Sequence, residues 1–169
     1  MTPEADEVDR IVAAWHRERP DVDVSPLQVL SRVTRLARHL DRARRAAFAE
    51  HGLEAGEFDV LAALRRDGPP HEASPGQLGT VTMVTSGTMT ARLTKLEARG
   101  LVQRRTDPDD GRSVIVSLTD AGRAVVDAAL VGLLERERAL LVGVPDREQA
   151  RLADLLRRVL GPLDGVPDG

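Results

Sequence analysis

The sequence predicts a mainly α-helical chain with one small β-hairpin, and three observations predict it. Apolar residues recur at helical spacing through most of the 169 residues, between capping and stop signals. Strand-like alternation appears in one place, from Leu101 to Leu118. Aromatic residues make up only 2%, so the core has to be aliphatic.

Residues 1–24 read as an extension. Val8, Ile11, Val12 and Trp15 recur at helical spacing, so VDRIVAAWHRER predicts a short amphipathic helix ending before Pro20. Seven acids and three arginines between Glu4 and Asp23 turn most of it to water. Trp15 is the only tryptophan, and its plain reading is an anchor pinning this helix to the body.

Residues 25–52 predict a dimerisation helix. The capping signature Ser25-Pro26-x-Gln28 opens it, and Gly52 closes it after about Glu50. Leu27, Leu30, Val33, Ala37, Leu40 and Ala47 form a stripe longer than a small domain needs. The other face carries Arg32, Arg35, Arg38, Arg42, Arg44 and Arg45, read as a solvated face. The next helix runs from Ala55 to Arg66 with Phe58, Leu61 and Leu64 inward, and stops at Asp67-Gly68-Pro69-Pro70. Asp59, beside that stripe, is read as an acid favoured by the helix dipole.

Residues 74–118 organise the rest. Ser74, Pro75 and Gln77 are an N-cap, an N1 proline and an N3 partner for a short helix. Thr85 opens SGTMTARLTKLEAR, where Met89, Leu93 and Leu96 give an inward stripe and Gly100 a stop. The opposite face carries Ser86, Thr88, Thr90, Arg92, Lys95 and Arg99. Leu101–Arg105 and Val114–Leu118 read as a two-stranded hairpin, with Val114, Val116 and Leu118 inward and TDPDDGRS as the turn. These parts make residues 53–118 a winged helix-turn-helix. Thr119 then caps a long helix to about Gly143, and Asp146 starts a last one stopped by Gly161-Pro162. Residues 119–161 are expected to be dimerisation helices and 162–169 a disordered tail.

The chemistry of the second helix points to DNA. Such a helix fits the major groove, where hydroxyls and arginine reach base edges and phosphates. Candidate contacts are Ser86, Thr88, Thr90, Arg92, Lys95 and Arg105. Arg112 at the hairpin tip can enter the minor groove, with Asp110 bracing the tip or Arg112 itself. From Ser86 to Arg112 six cations face four acids, or 6 − 4 = +2, in a chain of net charge −3. DNA binding then rests on local arrangement rather than on bulk charge. The alternative is a winged-helix protein-interaction module that binds no DNA, supported only by the acidic total.

Other classes find little support. With no cysteine there is no disulfide framework and no thiol redox sensing. His16, His39, His51 and His71 lack metal-site spacing, and Gly76, Gly79 and Gly87 do not form a phosphate loop. The Ser and Thr cluster has no neighbouring base. No enzyme and no cofactor are expected. No apolar run is long enough for a membrane, and MTPEADEVDR is no signal peptide, so a cytoplasmic protein is expected.

The order TSGTMTARLTKLEARGLVQRR, DPDDGR and LTDAGR resembles the MarR family of bacterial transcription regulators, from about Ser25 to Leu160. Its most specific pieces are GLV, Asp110-x-Arg112 and Leu118-Thr119-x-x-Gly122. The resemblance implies a homodimer on a palindromic double-stranded DNA operator, with a small molecule modulating binding.

 Within that family the arrangement resembles the urate-responsive branch, which carries an extra N-terminal helix with a Trp, an Asp in the helix before the helix-turn-helix, and an Arg in the recognition helix. Trp15, Asp59 and Arg92 occupy matching places, and Lys95 stands where a further Arg is expected. The resemblance implies a planar anion such as urate docking near Trp15, competing with Asp59 for Arg92 and shifting the recognition helix. Lys95 departs from that pattern, because a lysine lacks the planar fork for bidentate anion contacts.

Overall fold

The structure, a computed structural model, describes residues 4–164, so most of the expected tail lies outside the described residues. Helix α1 (Glu7–Glu18) starts at Asp6, whose carboxylate accepts from the Val8 and Asp9 amides, while the Asp9 carboxylate accepts from the Asp6 amide. Val8 and Val12 bury against Val24 and Leu27 in a small core of their own. Arg32 completes the attachment with ion pairs to Asp6 (2.9 Å) and Asp9 (2.8 Å), and holds the Asp6 carboxyl below its usual range. Trp15 is not the anchor that the sequence suggested. It stays 49% exposed, because the two valines one turn apart already fill the contact.

Helix α2 (Pro26–Ala49) differs at its start. Ser25 makes no cap, because it is itself in the helical region; Asp23 accepts from both its amide (2.9 Å) and its hydroxyl (3.1 Å). Gly52, at φ 66°, turns the chain into α3 (Ala55–Arg66). Phe48 of α2 and Phe58 of α3 stack with ring centroids 4.1 Å apart, two aromatic rings at the centre of an otherwise aliphatic core.

A two-residue strand, β1 (Glu72–Ala73), precedes α4 (Pro75–Val81) and α5 (Ser86–Ala98). Strands β2 (Val102–Thr106) and β3 (Val114–Leu118) follow. The expected two-stranded hairpin is therefore a three-stranded antiparallel sheet, ordered β1-β3-β2. Glu72 pairs with Ser117 and Arg105 with Ile115. Two residues are too short to show alternation, which hid β1 from the sequence. Val116 is fully buried and Leu118 half-buried as expected, whereas Val114, beside the hairpin turn, is exposed.

Helix α6 (Asp120–Leu140) packs on α2 and α3 and buries Val126, Ala129 and Leu133. Helix α7 (Asp146–Asp164) buries none of its described residues. It also runs past the stop expected at Gly161-Pro162. Pro162 stands two residues from its end, so the ring costs the last turn a backbone bond without breaking a longer helix.

The tightest joint lies between the wing and α6. The Thr119 hydroxyl accepts from the Gly122 amide (2.9 Å) and bonds the Gly100 (2.8 Å) and Leu101 (3.0 Å) carbonyls. A Cβ on Gly122 would fall 2.9 Å from the Leu101 carbonyl carbon and closer still to its oxygen. The carbonyl belongs to the backbone and cannot swing aside, although the neighbouring Leu118 Cδ1 could. Gly122→Ala is therefore expected to lower stability by about 3 kcal/mol, in the range of overpacked cores, as measured by urea unfolding. A loss below about 0.5 kcal/mol would show that the joint yields.

Candidate nucleic-acid interface

Helix α4 begins with a complete capping box: Ser74 Oγ accepts from the Gln77 amide and Gln77 Oε1 from the Ser74 amide. Its turn into α5 passes through Met83 at φ 51°. Thr85 then caps α5 by accepting from the Thr88 amide (3.4 Å). Met89, Leu93 and Leu96 are buried against α3, α4 and the sheet, which fixes the rotation of α5 about its axis. That rotation leaves Ser86, Thr88, Thr90 and Lys95 exposed and Arg92 half-buried. The Thr90 hydroxyl is turned back on the Ser86 carbonyl (2.9 Å), so its methyl is the group it shows outward.

The six cations counted in the sequence are not equivalent. Lys95 pairs with Glu54 (3.1 Å) and Arg99 with Glu57 (3.3 Å), whose side chain is only 6% exposed. Arg104 donates to Glu97 through Nε (2.8 Å) as well as Nη2, and Arg105 donates to Glu72 (2.8 Å). Among the described residues only Arg92 and Arg112 of the six lack a carboxylate partner. The sequence reading counted Glu97 but missed Glu54, Glu57 and Glu72. Glu54 and Glu72 lie 41 and 33 residues from the cations they hold, and no local spacing announces such pairs.

At the wing tip Asp110 braces the backbone and not the Arg112 guanidinium. It accepts from the Arg112 amide (3.1 Å) and the Ser113 hydroxyl (2.6 Å). Ser113 first and the Arg112 amide second hold its carboxyl below the ordinary range. Arg112 itself is exposed.

The three residues expected to share a ligand site are only partly brought together. Arg92 lies flat on α3 at Gly56, where an added Cβ would sit 2.5 Å from its Nε and Nη2. Asp59 is one turn further along the same face of α3, but its partner is Arg44 of α2 (3.4 Å). That makes Arg44 a bridge between helices, with its guanidinium also 5.5 Å from the Phe48 ring centroid, and not a member of a solvated face. Trp15 is elsewhere in the chain. Helix α1 meets α2 at Arg32 and runs back from there towards Val24, whereas Asp59 meets α2 at Arg44, about 18 Å further along the helix axis.

A family model described as the MarR family matches residues 51–113. The chain is 40% identical to the helix-turn-helix-type transcriptional regulator PecS of Dickeya dadantii, over 90% of this chain and 92% of that protein. The chain belongs to the MarR family. Within the family it is also similar to the repressor NicR of Pseudomonas putida, at 31% identity over 82% of this chain and 89% of that one. A substituted MarR from Escherichia coli complexed with operator DNA superposes with a TM-score of 0.66 at 26% identity, covering 86% and 97% of the two chains. Bordetella bronchiseptica BpsR, whose DNA binding is regulated by 6-hydroxynicotinic acid, gives a TM-score of 0.59 at 29% identity, over 75% and 91%. Membership makes this MarR-family chain a DNA-binding transcriptional regulator and not an enzyme. No helix among the described residues is long and apolar enough to cross a membrane, and no cluster among them could hold a metal ion.

The Asp110 brace has a pH signature. Its folded-state value is depressed, so its contribution is present above the unfolded value near 3.9 and is lost as pH falls through the folded value. Hydrogen exchange at the Arg112 amide, corrected for intrinsic rates, is expected to be slowed at pH 6 in the wild type and markedly less so in Asp110→Ala. Equal protection in both would remove the brace.

Proposed function

We propose that this chain is a dimeric repressor that binds a palindromic operator through α5 and the wing, and that a planar organic anion such as urate releases it. The observation that carries the reading is the pair of cations left without an acid: Arg92 of α5, lying against Gly56 of α3, and Arg112 at the wing tip. Ser86, Thr88, Thr90 and Lys95 would add hydroxyl, methyl and charge contacts in the major groove. Arg105 would reach phosphate beside the wing, and Asp110 would hold Arg112 in reach of the minor groove. Such a regulator works in the cytoplasm, with double-stranded DNA as its partner.

The dimer is supported by apolar surface that one chain leaves open. Val29, Leu30 and Val33 on α2, Leu130, Val131 and Leu134 on α6, and Leu152, Leu155 and Val159 on α7 are all exposed. Three helices with open apolar stripes suit the large, hydrophobic interface of an obligate homodimer. The ligand reading is supported by Arg92 and Asp59 sharing a face of α3, and by the planar acid that regulates the structural neighbour BpsR. One chain keeps Trp15 from Asp59, so a site holding Trp15, Asp59 and Arg92 together is built across the dimer. Lys95, bound to Glu54, has no part in that site.

Two outcomes test the reading. Arg112→Ala is expected to weaken operator binding about 30-fold, or about 2 kcal/mol, whereas Arg38→Ala changes it less than about threefold. Titrations at one fixed salt concentration check this, and equal losses would move the contact face to α2. Urate or a related planar anion is expected to release wild-type protein in a gel shift, with a coupling of about 1–3 kcal/mol that Asp59→Asn reduces more than it reduces DNA affinity. If no planar anion in such a panel releases the wild type, α1 is a structural brace and the ligand reading is wrong.

A further inference from the structure

We propose that Glu72 and Glu97 are specificity residues, which suppress binding to non-operator DNA by competing with phosphate for Arg105 and Arg104. The inference rests on the reading of α5 and the wing as the DNA-binding surface. Both carboxylates are built into the fold. Glu72 accepts from the Ser117 hydroxyl (2.7 Å) with one oxygen and from Arg105 (2.8 Å) with the other, and Ser117 is itself buried. Glu97 accepts from the Arg104 amide (3.2 Å) with one oxygen and from its guanidinium with the other. The two carboxyls sit below their usual range, Glu72 chiefly through Ser117 and Glu97 chiefly through Arg104, so both stay charged at neutral pH.

Strand alternation puts Arg104 and Arg105 on opposite faces of β2, and each face has its own carboxylate. A phosphate approaching either arginine therefore meets a guanidinium already paired within the chain. Non-specific affinity comes almost wholly from phosphate neutralisation, so holding these two charges in reserve lowers it directly. An operator is held in register by base contacts and needs little from Arg104 and Arg105, whereas a random duplex, held by phosphate contacts alone, would gain most from them. The carboxylates thus weaken every duplex, and the non-operator duplex most.

The test uses the full chain and two probes of equal length: a duplex that the wild type selects from a random pool, and a random-sequence duplex. Glu72→Gln keeps an oxygen for the Ser117 hydroxyl and removes the charge; Glu97→Gln does the same on a different element. Each is expected to raise affinity for the random duplex roughly fivefold and to steepen its salt slope by about 0.9, one phosphate's share. Affinity for the selected duplex should rise less, so the ratio between the two falls. Adding Arg105→Gln to Glu72→Gln should return the random-duplex affinity to the wild-type level or below. Unchanged affinity and slope in both single variants would overturn the proposal, as would an equal gain on both probes. A variant that lost thermal stability together with affinity would show its carboxylate to be only a structural brace. If the wild type selects no duplex at all, the DNA-contact reading fails before the variants are reached, and the two failures are told apart.

Discussion

The end of α5, the start of the wing and the start of α6 meet at one backbone carbonyl, that of Leu101. Thr119 bonds it through both its amide (3.2 Å) and its hydroxyl (3.0 Å), and Gly122 lies against it where no side chain would fit. Gly100, at φ 68°, ends α5 one residue earlier and lets the Leu101 amide close back on the Leu96 carbonyl (3.0 Å). Recognition helix, sheet and α6 are thereby referred to a single point. If that contact were looser, the buried faces of α5 and β3 would still attract the core, but the angle between the wing and α5 would not be fixed. The proposed fit of α5 and the wing to two adjacent grooves depends on that angle.

Charge in this chain is arranged by pairing. The total is acidic, yet cations dominate between Ser86 and Arg112. Four of them are held by carboxylates drawn from α3, β1 and α5, and two are not. Apart from Arg99 and the buried Glu57, these pairs are open to solvent and add little to stability, because solvent screens them and side-chain entropy opposes them. Their effect is instead on where free positive charge is presented.

The helices were legible because each carries a local signal. Ser74 and Gln77, Thr85, Gly100, Thr119 and Gly52 mark boundaries that the structure keeps, and Met89, Leu93 and Leu96 bury as their spacing requires. Ser25 failed as a cap because Asp23, two residues earlier, is the better acceptor. The strand β1 failed because a two-residue strand exists only through its pairing with Ser117 and Val116. Trp15 failed as an anchor because smaller neighbours take the buried positions. In the candidate site the residue types were readable, but the partners were not. Asp59 could be placed on its helix from sequence, whereas its bond to Arg44 depends on how α2 crosses α3.

That crossing gives α3 a place in the mechanism that its length does not suggest. It receives α2 through Arg44 and Asp59, α6 through Arg65 and Asp127 (2.9 Å), and α5 through Arg99 and Glu57 and through Arg92 on Gly56. Two of the helices that expose apolar stripes, α2 and α6, and helix α5 therefore touch the same twelve-residue element. Its inner side, with Phe58, Leu61 and Leu64 buried, is packed too closely to deform by degrees. A change in how α2 or α6 sits would move α3 as a body and carry Arg92 with it. The proposed coupling between a ligand and α5 needs such an element, with one side set by α2 and α6 and the other set against α5.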